Sequence, residues 1–233
     1  SLDPGRRDPA LRAMSVKERL APAKRGGQVA VERDFNALAM SACGRMEIIT
    51  GRAPSPPEIE QPPIAEVRSD PWRAWALDYL ERACAGYDAT AAMKRWRPEV
   101  ADVILADDMG VEAATSVALD DLRSSGSITE LMLALESLER SGALPEGMAL
   151  QREGVQSRLR VYEFAIEPIR CAAMGSCRGP SLETAWRCID VGCPPGTTNE
   201  QLLRANMPQS EVAAGLALRD ALMRYRAAFT SEE

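Results

Sequence analysis

The chain has 233 residues, 45% of them hydrophobic and 27% charged, the balance of a globular protein long enough to bury a sizeable core. Its net charge of −6 offers no footprint for a phosphate backbone, which sets general nucleic-acid binding aside. It contains no histidine, so Ser/His/Asp and Cys/His nucleophile arrangements are excluded, along with the usual proton shuttle near neutral pH and the commonest metal ligand.

No run of ~18 apolar residues occurs, so no membrane-spanning helix is expected. The chain opens on Ser1-Leu2-Asp3-Pro4, with neither methionine nor a signal peptide. That is the expectation for a mature or truncated chain whose signal or anchor has been removed. Residues 1–27 are rich in Arg, Pro, Gly and Lys and read as a loosely held basic arm.

From residue 28 to 50, Val31, Phe35, Leu38, Ala42, Met46 and Ile49 recur at steps of three and four, which predicts an amphipathic helix with Cys43 beside its apolar face. Residues 51–71 carry Pro54, Pro56, Pro57, Pro62, Pro63 and Pro71. That density denies a regular ladder and favours a polyproline connector. The remainder, 72–233, reads as a helical domain on which the 28–50 helix packs.

Asp70-Pro71 supplies a cap and a first-position proline, opening a helix whose Trp72, Trp75, Ala76, Tyr79, Leu80, Ala83, Cys84 and Tyr87 share one face. Such a stripe is more often core than ligand shelf. Trp72, Trp75 and Tyr79, with Trp96 nearby, are nevertheless the best candidate binding residues, since amphipathic rings stack on apolar faces and keep a hydrogen bond to spare. Short helices are expected over 99–108 and 111–123, the second with Val111, Ala114, Ala118 and Leu122 inward. Ser127 with Glu130 forms a capping-box signature, and Ser141-Gly142 ends the helix that follows.

Residues 146–175 are periodic through Val155, Leu159, Tyr162, Ile166 and Ile169, with Gly154 and Pro168 placed to bend or divide them. Pro180-Ser181 restarts a helix through Trp186 and Cys188. Thr198 with Gln201 repeats the capping box, and Pro208 starts a last helix lined by Leu218, Leu222, Tyr225 and Phe229. No stretch alternates β-branched residues, so the fold class expected is all-α, an irregular multi-helix bundle or short solenoid-like array.

Six cysteines fall as Cys43 and Cys84, then Cys171, Cys177, Cys188 and Cys193. Disulfides, a zinc site and buried reduced thiols are the three readings. The spacing favours disulfides near the C-terminus, with Cys43 and Cys84 adding a bridge if their helices pack. A zinc site is disfavoured by the five-residue gap between the first two of the four and by the absence of histidine. No cofactor or metal is expected. Asp107, Asp108 and Glu112, and separately Glu163 and Glu167, could serve as carboxylate pairs, but they also suit helix caps and solvated ion pairs beside Arg160 and Arg170. No residue is singled out as catalytic.

The run Ile169-Arg170-Cys171-Ala172-Ala173-Met174-Gly175-Ser176-Cys177, then Trp186-Arg187-Cys188, Gly192-Cys193 and Met207-Pro208-Gln209-Ser210-Glu211, resembles the C-terminal segment of uncharacterised helical proteins of proteobacterial cell envelopes. The resemblance covers residues 160–229 and implies export and disulfides, with no activity attached. The reading that follows is a periplasmic or envelope-associated, non-catalytic interaction protein engaging a protein partner through a helical groove, with a glycan as the other ligand. Its rivals are a carboxylate-dependent hydrolase of envelope glycan and a cytosolic helical regulator with reduced cysteines.

Overall fold

A computed structural model of the chain describes residues 29–55, 61–95, 110–150, 154–174, 177 and 179–230. The basic arm at 1–27, Trp96, the helix expected over 99–108 and the pair Asp107-Asp108 lie outside the described residues. Among those described, every regular element is a helix and none is a strand, as the absence of alternating patterns predicts. The helices are α1 (Val29–Ile49), α2 (Ile64–Ser69), α3 (Pro71–Ala83), α4 (Ala89–Arg95), α5 (Val111–Ser124), α6 (Ile128–Ser141), α7 (Arg158–Met174), α8 (Leu182–Val191), α9 (Asn199–Ala205) and α10 (Gln209–Thr230). They group into two compact units, one drawn from 35–96 and 176–202, the other from 28–34, 97–175 and 203–233.

Local chemistry sets the helix starts. The Asp70 carboxylate accepts from the Trp72 backbone N–H at 2.9 Å, with Pro71 at the first helical position, so α3 begins where a donor-free residue follows a cap. The Ser181 hydroxyl accepts from Thr184 N–H at 3.1 Å and starts α8. Thr198 and Gln201 form the complete reciprocal box, with Thr198 N–H donating to Gln201 Oε1 at 2.9 Å and Gln201 N–H to Thr198 Oγ1 at 3.2 Å. Gly142 closes α6 in the left-handed region at φ 71°, a conformation that favours a residue without Cβ. The proline-rich connector differs from expectation. Pro63 ends the extended backbone and the six-residue α2 follows it, tied through Val67, which is fully buried. A proline bars a ladder bond only at its own N–H, and 64–70 holds none.

In the first unit, α1 contributes Phe35, Ala39, Ala42, Cys43, Met46 and Ile49 to the core. Cys43 therefore sits within the buried face rather than beside it. α3 and α8 pack together and complete that core with Ala76, Leu77, Tyr79, Leu80 and Ala83 against Leu182, Ala185, Cys188 and Ile189. Burial of the Phe, Met, Leu and Ile side chains among these contributes ~1.5–3 kcal/mol each and decides which helix faces turn inward.

In the second unit, α6 provides Leu131, Ala134, Leu135 and Leu138, α7 provides Val161, Tyr162, Phe164, Ala165 and Ile166, and α10 provides Val212, Leu218, Ala221 and Leu222. Gly154 lies at φ 76° in the turn before α7, which divides the periodic 146–175 stretch as its glycine predicts. Pro168 stays inside α7. Having no N–H, it leaves the Phe164 carbonyl without its intrahelical donor, and Arg219 Nη2 from α10 fills that role at 2.8 Å. Two apolar positions expected inward face solvent: Leu159 at 56% and Val111 at 75% exposure. Each sits in the first turn of its helix. In α5 burial begins only at Ala118, and in α7 it begins at Val161.

Candidate binding surface

The aromatic residues of α3 separate into two roles. The Tyr79 hydroxyl donates to the Pro180 carbonyl at 3.1 Å, just before α8 begins, and the Trp75 indole N–H donates to the Cys193 carbonyl, just after α8 ends. These two side chains therefore grip both ends of the antiparallel helix and act as structure, with Tyr79 buried at 8% exposure. The spare hydrogen bond that makes an amphipathic ring useful for binding is already committed in both.

Trp72 behaves differently, with 55% of its surface exposed. Its angular position matches the buried face, but the backbone opposite is the turn after α8. There Cys193 N–H donates to the Trp72 carbonyl at 3.2 Å, and a Cβ on Gly192 would lie 3.7 Å from Trp72 Cβ. Gly192 has no side chain to cover the indole, and its φ of 64° keeps that position to glycine. Val191, the preceding residue, is 54% exposed. Around this apolar pair are Asp70, Arg73 and Glu66, with Arg73 Nη1 paired to Glu66 at 2.7 Å, and the partly exposed pair of Arg45 with Asp190. Neither Val191 nor Gly192 is singled out by sequence reasoning. The signal available was the Gly192-Cys193 step placed five residues after another cysteine.

Disulfides fix this surface. Cys188 and Cys193 are bridged with Cα atoms 5.3 Å apart, and Cys43 and Cys84 at 5.6 Å join α1 to the end of α3. Cys171 and Cys177 are disulfide-bonded as well, and no cysteine among the described residues is free. Among the described residues no group of three or more His, Cys, Asp or Glu side chains is arranged to hold a metal ion.

The carboxylates resolve into supports. Glu167 is buried and forms a bidentate pair with Arg170, at 2.7 Å to Nε and 2.8 Å to Nη2, so the expectation of a solvated residue is corrected. Packing of α7 turns its 167 and 170 positions inward, where only a paired charge is tolerated. Glu112 is exposed in the first turn of α5. Three further buried acids carry no such expectation from sequence, and of these Glu183 accepts from Arg187 at 2.8 Å. Asp34 accepts from the Ser127 and Thr129 hydroxyls, both at 2.6 Å. Glu211, fully buried, accepts from the Gln156 and Ser157 backbone N–H groups at 2.9 and 2.7 Å, in the turn that leads into α7. Asp121 is pushed up to about 6, first by burial and then by the nearby Glu130 and Asp120 charges.

What the fold and this surface define is an all-helical, disulfide-bonded chain with an exposed tryptophan beside a disulfide-closed helix end. No family model matches the sequence, and neither a curated protein nor a solved structure matches it. No described helix is long and apolar enough to cross a membrane.

Proposed function

We propose that this chain is an exported, non-catalytic interaction protein of the bacterial cell envelope that engages a protein partner through Trp72 and the adjoining Val191-Gly192 turn. The carrying observation is the 55% exposure of Trp72 on a backbone whose carbonyl is hydrogen-bonded to Cys193 N–H. Tryptophan is among the residues that dominate binding energy at protein interfaces, and an anchor already held in place loses little entropy on docking. Bridged cysteines support an oxidising compartment. One of those bonds, Cys188 to Cys193, closes the turn that faces Trp72.

The test places a photo-crosslinking residue at position 72 in producing cells, with the same residue at exposed Leu159 as control. A discrete crosslinked protein at 72, absent at 159, is the expected result. No adduct at 72, or the same adducts at both positions, refutes the surface. Thiol alkylation without reductant tests the compartment separately: reaction of all six cysteines in freshly lysed cells overturns export.

A further inference from the structure

The longest helix, α10, spends its inward charges on backbone groups. Glu211 receives two N–H groups before α7, Arg219 donates to the Phe164 carbonyl, and Arg226 donates to the Leu122 and Ser125 carbonyls at 3.0 and 2.9 Å. Its outward side has a different pattern. Ala213, Leu216, Asp220, Met223 and Ala227, all exposed, recur at steps of three, four, three and four. That is the heptad spacing of a helix seam that meets another helix. Leu216 and Met223 are large apolar side chains left 36% and 47% exposed. The seam's one charged residue is Asp220, with Arg224 beside it one turn on. Neither is ion-paired with another described residue.

We infer that this face of α10 joins a second copy of the chain as an antiparallel helix pair about a two-fold axis near residues 220–224. Charge decides both the occupant and the direction. In a parallel pair Asp220 would stand against its own copy, two like charges in one layer, which is repulsive. In the antiparallel pair each Asp220 lies across from Met223 and Arg224 of the other copy, so the same two residues form two opposite-charge contacts. A two-fold interface requires such self-complementarity, since each residue pair occurs twice. Leu216 then meets the small Ala227 layer, where the absence of bulk permits close approach of the helices. This contact is separate from the Trp72 surface and leaves it free.

Sedimentation equilibrium of the oxidised full chain tests the pairing. A dimer dissociating in the micromolar range is expected, and a chain that remains monomeric up to about 100 µM overturns it. Met223→Asp should abolish the dimer while far-UV dichroism and melting temperature stay as in the parent; an unchanged dimer overturns the assignment. Asp220→Arg should weaken association at least tenfold, and Asp220→Arg with Arg224→Asp should restore it to within a few-fold. Failure of the swap to restore, or a tighter dimer on Asp220→Asn, overturns the antiparallel arrangement.

Discussion

Gly215 offers the sharpest test of how closely α10 and α7 are packed. In a helix interior, Gly→Ala ordinarily gains ~1 kcal/mol from propensity alone. Here the added Cβ would lie 2.6 Å from Phe164 Cδ1, with Cγ and Cε1 at 3.5 Å. Carbon atoms settle at ~3.5–4.0 Å, so the helices or the ring must give by about 1 Å. The ring has little room to do so. Phe164 is fully buried, and the Arg219 guanidinium lies 4.6 Å from the ring centroid while donating to the Phe164 carbonyl. Overpacking costs ~1–3 kcal/mol, and a 2.6 Å contact on a fully buried ring belongs in the upper part of that range, about 2–3 kcal/mol, which outweighs the ~1 kcal/mol propensity gain. Gly215→Ala is therefore expected to lose about 1–2 kcal/mol, a fall of roughly 2–8 °C in melting temperature for a chain of this length. Thermal and urea unfolding measure the change. Phe164→Leu in the Gly215→Ala background should lose less than the sum of the two single changes, because the smaller side chain vacates the contested space. A Gly215→Ala protein as stable as the parent, or an additive double variant, refutes the reasoning.

Asp34→Ala should cost roughly 2–4 kcal/mol, because it leaves the Ser127 and Thr129 hydroxyls without their acceptor in a buried site; a shift of the urea midpoint equivalent to under about 0.5 kcal/mol removes the network from the account. Asp121, raised from 3.8 to about 6, holds its proton more tightly folded than unfolded, so ionising it opposes folding and its contribution declines as pH rises from 4 to 6. Asp121→Asn should therefore differ little from the parent at pH 4 and be the more stable of the two at pH 7, and a difference independent of pH contradicts this. The Cys43 to Cys84 bridge closes a sequence separation of 41 and the Cys188 to Cys193 bridge one of 5, so loop entropy assigns them about 4 and about 2 kcal/mol respectively. Paired Cys→Ala variants compared by urea unfolding should keep that order, and equal losses would show that chain entropy is not what separates them.

The parts of the fold legible in the sequence are those decided within a few residues. Asp70-Pro71, Ser181, Thr198 with Gln201, and Gly142 act through a cap hydroxyl, a missing N–H or a missing Cβ, each of which operates locally. Ser127 marks the edge of that legibility. Its hydroxyl accepts from Glu130 N–H at 3.2 Å as a capping box requires. The return bond is absent, because the Glu130 carboxylate takes Ser125 Oγ at 2.7 Å and Arg33 at 3.4 Å instead. The Ser127 N–H goes to Ser125 Oγ at 2.9 Å, so a hydroxyl two residues upstream stands between the two halves of the box, with Arg33 reaching the same carboxylate from 97 positions away. Likewise, periodicity gives the angle of Trp72, Val111 and Leu159 on their helices but not where along the helix burial begins, and all three lie exposed in a first turn. The grouping of 35–96 with 176–202 is a long-range outcome that no local pattern encodes.

The same distinction bears on function. In a chain without histidine, carboxylates and arginines draw attention as candidate chemistry, yet the inward-facing ones here serve the fold: Glu167 pairs with Arg170, Asp34 accepts from two hydroxyls, and Glu211, Arg219 and Arg226 answer backbone demands. Pro168 creates an unsatisfied carbonyl at Phe164 and Arg219 supplies the donor; the turn into α7 exposes two N–H groups and Glu211 receives them; the last turn of α5 leaves carbonyls for Arg226. Removing any of these charges would lower stability, and loss of function in such a variant would say nothing about a site. Trp72, Val191, Leu216 and Met223 are the opposite case. They are exposed apolar side chains on helix ends and faces that are otherwise secured, so the fold gains nothing evident by displaying them. A substitution there that leaves the melting temperature unchanged and alters binding or association identifies a surface kept for a partner.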